Sequence, residues 1–237
     1  MERAAGELLA AVERSPRAAA AHDRQGWVGL FTADGLVEDP VGSRPHVGHA
    51  EIGRFYDTFI GPRQITFHPE ADIVDGTVVI RDVTLDVTMG PGVSLMVPTF
   101  IRYDLRGSES GWKFSSLKAY WELPVMVTAF LRTGRRSVPA ALRLSAALLR
   151  NQGASGSVGY LGAFRRPGAR AKRLVERALS DGELHQELRN CRWRKVIAAG
   201  STVVAAVATS SGPGVVFVDV DARGSRIVRT EYHRNRS

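Results

Sequence analysis

"LVEDPVGSRPHVGHAEIGRFYDTF", residues 36–59, sets a carboxylate, Asp39, between an apolar strand-like run and a Pro–Gly turn, and a helical pattern follows at once. The residue before a proline avoids the α region, so Asp39-Pro40 has to turn or extend the chain. Beyond the turn, Ile52, Phe55, Tyr56 and Phe59 share one face of a helix predicted over residues 50–59, which Gly61-Pro62 ends. An acid at such a junction is either a turn residue left in water or a base held in an apolar cup.

Toward the N-terminus, residues 4–13 read as a helix with Leu8, Leu9 and Val12 at helical spacing. Ser15-Pro16 reads as an N-cap with proline at the first position of a second helix. Asp23 then caps a third, short helix that buries Trp27, Leu30 and Phe31. Toward the C-terminus the period falls to two. Residues 64–67 and 70–74 are extended, and Asp75-Gly76 signals a hairpin into residues 77–89. In that strand Val83, Leu85, Val87 and Met89 alternate with Asp82, Thr84, Asp86 and Thr88. Strands at 93–105 and 112–121 complete a four-stranded antiparallel meander. Helices first and a meander second give an α+β fold class. A curved sheet wrapped on a long helix makes a cone with an apolar mouth.

The segments "LFTADGLVEDPVGSRPHVG" (30–48), "IGRFYDTFI" (52–60), "IRYDL" (101–105) and "LKAYWE" (117–122) resemble the ketosteroid isomerase branch of the NTF2-like, SnoaL-like superfamily, over about residues 5–123. The resemblance implies an NTF2-like cone and a small lipophilic substrate, a steroid or polyketide-like ketone. It implies no cofactor, and it puts the general base of the VEDPxG motif at Asp39. Such a base moves a proton between two carbons while a second group stabilises the dienolate oxygen. Two oxyanion donors of the family, a tyrosine and a protonated aspartate, fall here on Ser15 and Thr99, so both strong donors are missing. Tyr56 matches a family tyrosine and is the third candidate donor. The expected substrate pocket is Phe31, Val37, Val97, Ile101, Leu117, Ala119 and Trp121. Two alternatives remain: a SnoaL-type cyclase that keeps the acid, and a non-catalytic module binding an apolar small molecule.

Internal comparison changes the reading of the second half. "ADIVDGTVVIRDVTLDV" (71–87) has a counterpart in "KVIAAGSTVVAAVATSS" (195–211), and residues 101–122 have one in residues 216–234. Upstream, "GHAEIGRFYDTF" (48–59) aligns with "GARAKRLVERAL" (168–179). We therefore expect two domains, residues 1–124 and a decayed, non-catalytic second copy over residues 125–237 with its N-terminal helix at 137–151. The position matching Asp39 falls near Gly159, and no DPxG turn accompanies it. An internal pseudo-dimer or a homo-dimer is the expected assembly.

Charge follows the same division. Of 237 residues, the first 124 hold 12 Lys+Arg against 17 Asp+Glu, and the remainder hold 20 against 7, within a total of +8. An acidic half and a basic half can attract each other. "FRRPGARAKR" (164–173) and "RNCRWRK" (189–195) invite a nucleic-acid reading, but no RNA-binding motif with paired aromatics accompanies them, so nucleic acid is not an expected partner. The lone Cys191 excludes an internal disulfide, and the six histidines lack ligand spacing, so no metal is expected. No apolar run of membrane-spanning length occurs, and acids interrupt the N-terminal segment, which predicts a cytoplasmic protein.

Overall fold

The computed structural model describes residues 2–90, 93–109, 111–122, 126–128 and 168–235. The expected helix over 137–151 and the Gly159 counterpart of Asp39 lie outside the described residues. Helix α1 (Glu2–Ala20) and α2 (Arg24–Gly29) lead into β1 (Phe31–Glu38), and β2 (His46–Val47) runs into α3 (Gly48–Phe55). A single π-helical turn (Tyr56–Ile60) follows. The meander is β3 (Gln64–Asp75), β4 (Val78–Gly90), β5 (Val93–Ser108) and β6 (Gly111–Tyr120). These strands form one sheet of order β2-β1-β6-β5-β4-β3, in which β1 pairs parallel to β6 and every other pair is antiparallel. The fold is mixed α+β with a curved sheet, as expected.

Three local readings are corrected. The chain does not break at Ser15-Pro16: α1 runs through Pro16. An interior proline removes one backbone bond, but Leu8, Ala11, Val12 and Ala19 form a continuous buried face on both sides of it, and tertiary packing of such a face outweighs local propensity. Ser15 is consequently no cap. Phe31 is not helical either, since α2 stops at Gly29 and Phe31 opens β1. Asp23 does cap α2, accepting from the Gly26 amide at 2.8 Å. The separate strands expected at 64–67 and 70–74 are one strand with a register shift between Pro69 and Ala71.

The period of two gives the sheet two different faces. Val79, Val83, Ile101, Tyr103 and Leu105 pack with α1, Trp27 and Phe55 on the inner side. Ile73, Ile80, Phe100 and Tyr120 point the other way and are just as buried. A second sheet covers them. After α4 (Gly168–Ser180) come β7 (Arg192–Ala199), β8 (Thr202–Thr209), β9 (Gly212–Val220) and β10 (Ile227–Arg234), an antiparallel meander of order β10-β9-β8-β7. Its Ile197, Ala199, Val204, Ala206, Val215 and Phe217 join Ile80, Phe100 and Tyr120 in one core. Tyr120 meets Phe217 edge-on at 5.1 Å.

Charged groups rim this contact. Lys195 reaches Asp82 at 2.6 Å and Glu70 at 2.7 Å, and Arg194 reaches the same two acids at 2.8 and 2.7 Å. Asp82 is 1% exposed, so at this position the polar face of β4 is turned into the contact between sheets and not toward water. Burial pushes the Asp82 carboxyl upward while Lys195 and Arg194 oppose it. Arg102 pairs with Glu231 at 2.9 Å, and His233 meets Asp75 at 2.9 Å. Among the described residues no helix is long and apolar enough to cross a membrane.

Candidate active site

Asp39 stands directly beyond the last residue of β1, at the start of a turn through Pro40, Val41 and Gly42 whose Asp39-Pro40 peptide is cis. The Val41 amide donates to the Ala119 carbonyl at 2.8 Å, and the Gly42 amide donates to Glu38 Oε1 at 2.8 Å. Gly42 has φ +95°, which few side-chain-bearing residues adopt. The turn therefore delivers the acid beside the end of β6. There Trp121 Nε1 donates to Asp39 Oδ1 at 2.5 Å.

The carboxyl lines a cavity of about 120 Å³ inside the cone. Its walls come from the inner faces of four strands (Leu85 and Val87, Val97 and Ile101, Leu117 and Ala119, Ile65 and Phe67) and from Trp27, Phe55 and Phe59. Apart from Asp39, the one ionisable side chain among the described lining residues that carries a full charge at neutral pH is Arg63, and its guanidinium donates to the carbonyls of Thr58 and Phe59 at 2.7 and 2.8 Å. Among the described residues no cation forms an ion pair with Asp39. Loss of water around the carboxyl therefore dominates, raising its pKa from 3.8 to about 6, and the Trp121 bond opposes the rise. A carboxylate with that affinity for protons can accept one from a weak carbon acid and return it near neutral pH.

Most of the expected site residues meet here. Ser15, Asp39, Val97, Ile101, Leu117, Ala119 and Trp121 all line the cavity. Four do not. Phe31 and Val37 are buried in the core behind it, Phe31 against Trp27 at 5.0 Å and Phe114 at 5.4 Å. Thr99 is 0% exposed and turns its hydroxyl back to the Val97 carbonyl at 2.9 Å. Its donor is spent inside its own strand, which removes it from the candidates. Tyr56 sits in the π turn against Trp27 at 5.6 Å, outside the cavity wall, and its buried hydroxyl has no hydrogen-bond partner among the described residues.

One polar group escaped the sequence reading. Tyr103 lines the cavity, as Ser15 does. Ser15 Oγ accepts from Trp27 Nε1 at 3.1 Å. Burial pushes the Tyr103 phenol up to about 12, so it is a neutral donor at physiological pH. The signal was available: the period of two that joins Val97 to Ile101 continues to Tyr103.

The family model of the SnoaL-like domain matches residues 12–108. Over that stretch the chain is similar to SnoaL-like domains. Solved structures similar to part of this chain include the Δ5-3-ketosteroid isomerase of a Mycobacterium species, 29% identical, covering 50% of this chain and 95% of its own, with a TM-score of 0.45. A Mycobacterium tuberculosis protein crystallised with estradiol-17β-hemisuccinate is 26% identical over 50% of this chain and 95% of its own, TM-score 0.45. An epoxide hydrolase/cyclase-like enzyme of pyran ring formation in salinomycin is 20% identical over 50% and 93%, TM-score 0.45. Each spans about half of this chain. What this cone does is decided by the side chains of its cavity.

Proposed function

We propose that the SnoaL-like domain catalyses proton transfer on a lipophilic ketone, moving a carbon–carbon double bond into conjugation, with Asp39 as general base. One observation carries the reading: a single carboxylate, unpaired with any described cation and held by an indole N–H, faces a mainly apolar cavity. A pocket of apolar walls with a few convergent polar groups is the common form of a small-molecule site.

In the proposed reaction the Asp39 carboxylate removes the proton from the carbon between the carbonyl and the alkene. The electron pair passes into a dienolate, and Asp39 becomes a carboxylic acid. It returns the proton to the far carbon, so the double bond shifts without net oxidation or reduction. Charge on the dienolate oxygen calls for a donor already in place. Tyr103 fills that role in place of the family's missing pair. Its neutral phenol lines the same cavity as Asp39 and supplies an O–H for the substrate oxygen.

The test is conversion of an unconjugated 3-ketosteroid, followed by the ultraviolet absorbance of the conjugated product, in wild type and Asp39→Asn. A loss of roughly 10²–10⁴-fold is expected. Equal rates in both proteins would exclude Asp39 as base. A wild type that binds the steroid without turning it over would leave an apolar-ligand binding module.

A further inference from the structure

The second half of the chain touches the Asp39 loop at both of its anchor points. In the β7–β8 hairpin, Gly200 adopts φ +58° and lies so close to the loop that an added Cβ would stand 3.0 Å from Gly42 Cα, 3.1 Å from Gly42 N and 3.2 Å from the Val41 carbonyl oxygen. Val41 is itself packed in the core shared with Ile197 and Ala199. On the other side, Glu122 directly follows Trp121, and its Oε1 accepts from Lys172 Nζ of α4 at 3.0 Å and from the Ala198 amide of β7 at 3.2 Å. One contact bears on the turn that carries the carboxylate, and the other on the strand end that carries its hydrogen-bond donor.

We propose that the second half is a positioning element for Asp39: the Gly200 hairpin presses the Pro40–Gly42 turn inward, and the Glu122 tie to Lys172 and Ala198 holds Trp121 over the carboxylate. Its functional consequence rests on Asp39 acting as a base, but its structural content does not. The charged groups flanking the turn are Glu38, Glu122 and Lys172, with Arg63 in the cavity wall. None of the four is an ion-pair partner of Asp39, so what the brace controls is the access of water to the carboxylate and the indole bond.

A control is built into the fold. Gly76, in the β3–β4 hairpin, has nearly the same backbone conformation, φ +61°, with nothing within 4 Å of an added Cβ. Gly76→Ala therefore imposes the backbone strain of a left-handed alanine without the contact. Asp39 is titrated by carboxyl ¹³C NMR in the full-length protein, its signal assigned with Asp39→Asn. Gly200→Val is expected to lower its midpoint by about half a pH unit or more as the turn opens to water, while Gly76→Ala leaves it unchanged. Glu122→Ala and Glu122→Gln form a second pair, useful should Gly200→Val fail to fold. Both remove the same charge, but only the alanine removes the tie, so its midpoint is expected to differ from that of the glutamine variant by a similar amount.

A midpoint in folded Gly200→Val equal to wild type, an equal shift in Gly76→Ala, or identical midpoints in the two Glu122 variants would overturn the proposal. A wild type inactive on the ketone, with these shifts present, would sink the isomerase reading and leave the positioning role standing.

Discussion

If Asp39 is held dehydrated for chemistry, it must cost the fold stability, and Asp39→Asn should recover it. The carboxyl titrates at about 6 in the folded protein against 3.8 ordinarily. Each unit between folded and unfolded pKa is worth about 1.36 kcal/mol, so the ionised side chain destabilises the folded state by about 3 kcal/mol at pH values above 6. The sign follows from proton binding. Because the folded state holds the proton more tightly, the contribution of Asp39 is most favourable below pH 3.8 and is lost as pH rises through about 6. Asparagine is always neutral, nearly isosteric, and keeps an oxygen to accept from Trp121. Urea denaturation of both proteins at about pH 4 and about pH 8 measures the difference. Asp39→Asn should be more stable by about 2–3 kcal/mol at the higher pH and nearly equal at the lower. A gap of the same size at both pH values, or a variant less stable at the higher one, would refute the claim that desolvation sets the acid's affinity for its proton.

Further expectations concern the reaction and the contact between sheets. The rate constant kcat/KM should rise with pH through about 6 and level off above it, since only ionised Asp39 accepts a proton; a flat profile across that range would count against it. Tyr103→Phe should lower kcat by roughly 10²–10³-fold, whereas Tyr56→Phe and Thr99→Val, whose hydroxyls do not face the cavity, should each cost less than about tenfold; the reverse order would move the oxyanion donor elsewhere. Lys195→Met leaves Asp82, whose side chain is 1% exposed, with Arg194 as its one cation among the described residues. That variant should lose about 3–5 kcal/mol by urea denaturation, and Asp82→Leu added to it should restore much of the loss.

Much of the first half was legible because its patterns are local. Hairpin chemistry at Asp75-Gly76 and the alternation from Asp82 to Met89 announce strands, and the VEDPVG motif marks the acid before any coordinates. Ser15 shows where local reading ends. Its place before a proline has the form of a helix cap, yet a buried face extending across Pro16 keeps α1 whole and gives the hydroxyl to Trp27. Thr99 likewise sits where the family keeps a donor, and only its rotamer, turned to Val97, shows that the donor is used up.

The sequence by itself determined the α+β class, the position of the acid and the apolar character of its surroundings, because periodicity and turn chemistry act over a few residues. Only the tertiary structure decided that Tyr103 and Ser15 line one cavity with Asp39, that Asp82 faces another sheet and not water, and that Gly200 rests on Gly42. Those facts join residues far apart in the chain. Which partner a side chain finds across such a distance depends on how two whole sheets pack.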